Sequence, residues 1–236
     1  MLNLKTDFED RIDEVNQFFL FMSKINEIDT HKNSVKLESS NSTVIPFVNR
    51  DMQKILRSQC FLMLYNLIEA TLRIGIQSIL DSINDEKLRF DQLSNKYQDL
   101  FLLSISSQYA EQTSKKGIAS SIKVLINQIT NDSIHFSNGF DDASGNVDFR
   151  YIEDKKKLFG LICKKPLTDL DNLKKGMLKV KRERNLLAHG NKSFKKAAEM
   201  LTPRELIGYK ELVVEYLRIF VDVVEVFINE KEFLKE

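Results

Sequence analysis

Backbone breakers are scarce in this chain, and where they fall decides what it can fold into. Only three prolines occur in 236 residues, Pro46, Pro166 and Pro203, and each lies between periodic segments rather than inside one. Long stretches free of proline and rich in Leu, Lys, Glu and Ile favour helices over strands. Phe8, Ile12, Val15, Phe19, Met22 and Ile25 recur at steps of three and four, which predicts an amphipathic helix over residues 7–27. The Ser- and Asn-rich stretch 28–49 reads as a loop, with room for a short strand around Val44–Val48.

Residues 50–82 form the most apolar long helix, and further helices are expected near 97–112 and 117–130, with a polar loop from His135 to Asn146. Asp148 reads as the N-cap of a helix running to about Cys163, and Thr168 or Asp169 caps the next. Gly190 sits where a left-handed helix stop belongs. Thr202-Pro203-Arg204-Glu205 is a capping box with proline at the first helical position, and an apolar face from Leu206 to Phe227 follows it. The expectation is an all-α bundle.

A hydrophobic content of 42% with 29% charged residues supports a packed core and excludes global disorder. A formal net charge of +1 gives no overall field toward nucleic acid or membrane, so a polyanion must be met by a local patch. The two cysteines, Cys60 and Cys163, show no paired spacing, as in a reducing compartment. MLNLKTDFEDRIDEV lacks a basic start and an apolar core, and no stretch reaches the ~20 apolar residues of a span. A cytoplasmic protein is expected.

The sharp chemical signal is Arg184-Asn185-Leu186-Leu187-Ala188-His189. On the helix 169–189, Leu170, Leu173, Met177 and Val180 are spaced three and four apart, and extending that stripe gives 184 and then Leu187. Position 184 is therefore expected on a packing face, yet it is arginine. A guanidinium there must find acceptors or reach a cleft, because burying it unpaired is costly. Asn185 and His189 are four apart and share a face, whereas Arg184 and His189 are ~140° apart on an ideal helix. One helix does not aim both at one phosphate, and two copies across a twofold axis could.

His189 at a helix C-terminus meets a dipole that favours the imidazolium, which suits it to proton transfer. Arg184 suits bidentate contact with a phosphate, and Asn185 can hydrogen-bond to either. Such a set suffices for transfer of a phosphodiester to the neighbouring 2′-hydroxyl, with no metal required. The plain alternative is a structural ion pair at Arg184 and a histidine that merely complements the dipole.

The string RNLLAHG at a helix end resembles the Arg-x4–6-His signature of HEPN ribonucleases (higher eukaryotes and prokaryotes nucleotide-binding domain), and SGNVDFRYIEDKKKLFGL at 144–161 resembles HEPN-like nucleases of prokaryotic conflict loci. The resemblance implies a single all-α HEPN domain over 1–236 with an insertion near 83–148. It further implies a homodimer with facing motifs, metal-independent endoribonuclease activity leaving a 2′,3′-cyclic phosphate, and a toxin or antiphage role. Arg184 would then stabilise the phosphate, His189 act as acid or base, and Asn185 assist. The family's Glu-x3-Lys/Arg pair is matched by Glu69 and Arg73. In toxins controlled by a nucleotidyltransferase antitoxin a tyrosine follows two residues after the histidine; here Asn191 stands there, which puts that partner in doubt.

Gln59, Asn66, Glu69, Arg73 and Gln77 fall within an arc of ~80° on the helix 50–82. They form either its solvent face or the wall of a cleft shared with Arg184, where Glu69 would orient Arg184 or His189. Residues 174–196 hold nine basic side chains against one acid, Glu183. Among them Lys181, Arg182 and Lys192 are expected to contact RNA. His31 and His135 form no ligand spacing, and Asp141-Asp142 between Gly139 and Gly145 lacks the ligand alternation of a calcium loop. No metal, cofactor or phosphate-binding glycine loop is expected; the rivals to the enzyme are a non-catalytic RNA- or nucleotide-binding HEPN module and a structural interaction subunit.

Overall fold

In a computed structural model, residues 4–27, 35–36, 47–109, 114–131, 133–136, 140, 145–163 and 169–235 are described. The apolar row of α1 (Leu4–Glu27) is buried along its whole length, from Leu4 and Phe8 to Met22 and Ile25. It packs on α2 (Arg50–Asp85), whose first turn is closed by Asn49, the side chain accepting from the Met52 N–H at 2.9 Å. With 36 residues, α2 is long enough to meet most of the other helices: α1, α6 (Leu170–Ala188), α7 (Phe194–Ala197) and α8 (Pro203–Asn229) all pack against it. Helices α3 (Asn95–Tyr109), α4 (Lys115–Asn131) and α5 (Phe149–Phe159) complete the set, with a 3-10 turn at Phe90–Gln92.

Phe61, Leu64, Ile68, Leu72 and Ile79 of α2 meet Val213, Leu217, Phe220 and Val224 of α8 within one apolar cluster. Burying each such side chain contributes roughly 1.5–3 kcal/mol before chain entropy is counted. At Gly75 the two helices come so close that a Cβ would lie 2.7 Å from Cε1 of the buried Phe220 ring. Thr202 caps α8 as the sequence predicts, its hydroxyl accepting from the Glu205 N–H while the Glu205 carboxylate accepts from the Thr202 N–H. Thr202→Ala is expected to cost about 1 kcal/mol, read as a lower urea midpoint with an unchanged slope.

The all-α reading holds; the short strand allowed for around Val44–Val48 appears as β2 (Phe47–Val48), paired antiparallel with β1 (Val35–Lys36). Several helix ends shift by a few residues, with α1 starting at Leu4 and α2 running on to Asp85, and two further readings differ from expectation. Helix α5 ends at Phe159 rather than near Cys163, because Gly160 turns left-handed at φ 75° and its N–H closes on Lys156 and Lys157 carbonyls. Helix α7 was not expected, since four residues carry no readable period. Pro46, Pro166, His31, Gly139, Asp141, Asp142, Thr168, Lys164 and Lys165 lie outside the described residues. No helix among the described residues is long and apolar enough to cross a membrane.

Candidate functional site

The motif occupies the last turn of α6 and its stop. The helix opens at Asp169, whose side chain accepts from the Asn172 N–H at 3.4 Å. It closes at His189, with Gly190 left-handed at φ 70°. The Gly190 N–H donates to the Leu187 carbonyl at 3.1 Å, and the Lys192 N–H to the Leu186 carbonyl at 3.1 Å. This is the left-handed glycine stop that the sequence predicts.

The buried stripe of α6 runs Leu173, Gly176, Met177, Val180, Glu183 and Leu187. It therefore steps from Val180 to Glu183 rather than to Arg184, and Leu170 is exposed. The Glu183 side chain is only 4% exposed and is held by Lys179 Nζ at 2.9 Å and Lys192 Nζ at 2.9 Å. Burial pushes that carboxyl upward, but the hydrogen bonds and charges of Lys179 and Lys192 outweigh it and hold the group below its ordinary value.

Arg184 sits at the edge of the packed face with its side chain 27% exposed. Its guanidinium carbon lies 4.3 Å from the centroid of the Tyr65 ring. Nη1 donates to Asn185 Oδ1 at 3.0 Å, and Nη2 is 3.9 Å from Glu69 Oε2, an ion pair beyond hydrogen-bond range. The other Glu69 oxygen faces Arg73 Nη2 at 3.9 Å. Asn185 Nδ2 donates to the Gly145 carbonyl at 3.1 Å. Gly145 is itself left-handed at φ 77° and stands directly against Arg184.

These groups border an open cleft of about 460 Å³ lined by Arg11, Tyr65, Asn66, Glu69, Arg73 and Arg184 among others. The polar stripe of α2 is thus the wall of a cleft at Asn66, Glu69 and Arg73, which meet Arg184 there. Three guanidiniums and one carboxylate line it; Arg73 and Arg184 face Glu69, and Arg11 is bound to Asp7 at 2.7 Å. A concave surface with that balance suits a phosphate. His189 does not line the cleft; its side chain is exposed at the helix end.

Of the cations expected to meet RNA, Lys181 is bound to Asp148 and Lys192 to Glu183, whereas Arg182 is exposed. The sequence does not single out Tyr65, Gly145 or Glu183. A usable signal existed for Tyr65, which is four residues before Glu69 and so on the same face of α2. Its hydroxyl accepts from the Val147 N–H at 3.1 Å, and burial above all pushes its pKa up. Among the described residues no three His, Cys, Asp or Glu side chains gather as a metal-holding group.

Comparison with known proteins identifies a family. The HEPN_MAE_28990-like HEPN family matches residues 2–233, nearly the whole chain. Neither curated proteins nor solved structures give a match. The all-helical fold, the Arg-x4-His segment closing α6 and the extent of that family match make the chain a member of the HEPN superfamily, in its HEPN_MAE_28990-like family.

Proposed function

We propose that the protein is a metal-independent endoribonuclease that cleaves RNA at a composite site in a homodimer. Membership of a HEPN family supports a nuclease-type, RNA-related role. The observation that carries the finer reading is Arg184 held at the rim of an open, guanidinium-rich cleft, five residues before an exposed His189.

In this reaction an imidazole takes the proton of the 2′-hydroxyl, whose oxygen attacks the adjacent phosphorus. The bond from phosphorus to the 5′-oxygen breaks, the same imidazole, now protonated, returns its proton to that oxygen, and a 2′,3′-cyclic phosphate remains. Arg184 neutralises the charge that builds on the phosphoryl oxygens. A second copy completes the site, because His189 and Arg184 point apart within one chain. The RNA comes with its own nucleophile, so the chemistry asks for one imidazole acting as base and then as acid, and a cation. Cytoplasmic placement and a role as a toxin or antiphage effector, held in check by an antitoxin or defence partner, follow from the same reading.

A second reading is favoured by a specific observation: Arg184 already pairs with Glu69, and the cleft of one chain does not include His189. A non-catalytic module that grips RNA or a nucleotide in the cleft fits those facts. Incubation of purified protein with RNA in EDTA separates the two. Cleavage lost in both Arg184→Ala and His189→Ala supports the enzyme; intact RNA with retained binding supports the module.

A further inference from the structure

We infer that Tyr65 and Gly145 are positioning residues for Arg184, forming an aromatic floor and a backbone wall that aim its guanidinium at the substrate phosphate. The inference rests on the ribonuclease reading of Arg184 and adds how that side chain is held. An arginine at the last turn of a helix is ordinarily free to sample many rotamers. Here it is boxed on four sides. Its face lies on the Tyr65 ring at 4.3 Å. Its Nη1 is drawn to Asn185 Oδ1 at 3.0 Å, and its Nη2 faces Glu69. On the remaining side stands Gly145, where an added Cβ would come 2.9 Å from Nη1.

The box is one connected unit. Asn185 uses both ends of its amide within it, accepting from Arg184 and donating to the Gly145 carbonyl at 3.1 Å. Asn185 therefore acts through Arg184 rather than on the phosphate. Residues 145–148 form a strap tied to three helices. Val147 donates its N–H to the Tyr65 hydroxyl of α2, and Asp148 caps α5 by accepting from the Tyr151 N–H at 3.1 Å. Asp148 also binds Lys181 of α6. The Tyr65 ring, 1% exposed, has no room to swing aside. Floor, wall and relay are fixed before any substrate arrives, which is what preorganised charge stabilisation requires.

Steady-state RNA cleavage by Tyr65→Leu, Tyr65→Phe, Gly145→Asn and Gly145→Ala tests this, with wild type and Arg184→Ala as references. Asparagine tolerates the left-handed backbone of Gly145 better than alanine does, yet still brings the Cβ that meets Arg184. Tyr65→Leu and Gly145→Asn should each lose about tenfold to a hundredfold in kcat with KM within about threefold. Tyr65→Phe keeps the ring but releases the Val147 N–H, so it should lose clearly less than Tyr65→Leu. The Nε–H proton of Arg184 supplies a readout apart from turnover: its ring-current shift in the NMR spectrum should survive in Tyr65→Phe and vanish in Tyr65→Leu. Full kcat in both Tyr65→Leu and Gly145→Asn, beside an inactive Arg184→Ala, overturns the positioning role and leaves the enzyme standing. No cleavage by wild type, or equal cleavage by Arg184→Ala, sinks the ribonuclease reading instead, and the ring-current shift then decides whether the box exists. Should Tyr65→Leu fail to fold, Gly145→Asn decides alone.

Discussion

His189→Ala chains should cleave RNA about 10²–10⁴-fold more slowly than wild type, the usual worth of a positioned acid or base. Stability should change by no more than about 0.5 kcal/mol, because the side chain is exposed at the end of α6. Arg184→Ala should lose about 10²–10³-fold through the missing phosphate charge. It should also lose some stability, since the Tyr65 ring loses its cation and Glu69 keeps Arg73 alone. Arg184→Lys should not restore the rate, because an ammonium neither stacks on Tyr65 nor presents a fork to the phosphate in the same way.

The larger consequence comes from mixing the two inactive chains. When each site takes Arg184 from one chain and His189 from the other, a heterodimer of Arg184→Ala with His189→Ala contains one intact site and one doubly damaged site. Random reassortment of equal amounts makes half the dimers mixed, so about one quarter of wild-type activity should return. Sites housed within single chains give no recovery at all. The measurement is the rate of cyclic-phosphate product after co-refolding the two variants, with Arg184→Ala/His189→Ala double-variant chains as the blank.

How far the sequence could be read depended on the kind of signal each element left. Helix α1 was legible because six apolar residues at steps of three and four admit only one buried face, and all six are buried. Helix α8 announced itself through the capping box at Thr202 and Glu205. The path of α6 was harder. From Val180 the stripe can step by four to Arg184 or by three to Glu183, and the helical period permits both. Glu183 takes the buried position because two lysines neutralise it: Lys179, one turn earlier on α6, and Lys192, which reaches back from after the turn and lies outside any window on the helix. Arg184 was left at the edge, half-buried, with its charge facing the cleft.

The site divides along the same line. Asn66, Glu69 and Arg73 could be placed together because they share one helix face, and their meeting with Arg184 followed once α2 and α6 packed. Gly145 and Tyr65 touch Arg184 from 39 and 119 residues away, and no local pattern encodes contacts of that range. Charge counting along 174–196 also overstated the free cations. Lys181 and Lys192 are engaged with Asp148 and Glu183, one distant in sequence and the other across the turn.

Glu183 carries the second large effect, and it is one of stability. Replacing it by alanine should cost about 2–3 kcal/mol, because Lys179 and Lys192 would keep their partly covered ammonium groups with no anion between them. The figure lies below that of a fully buried pair, since both lysines retain some contact with water. The pH dependence has a definite sign. The folded carboxyl is held below its ordinary value, so its stabilising contribution is fully present above the unfolded carboxylate pKa of about 4.3 and is lost as pH falls through the lower, folded value. Glu183→Gln keeps the shape but not the charge. Urea melts of wild type and Glu183→Gln should differ most near pH 6 and converge as the pH drops below about 4. A difference that stays constant or widens on acidification would mean that the carboxylate is not the stabilising species. The same ion pair draws Lys192 onto α6 across the turn that contains His189 and Gly190. In Glu183→Ala that turn loses its tether, so cleavage activity should fall further than the folded fraction does, measured at a temperature where both proteins are fully folded.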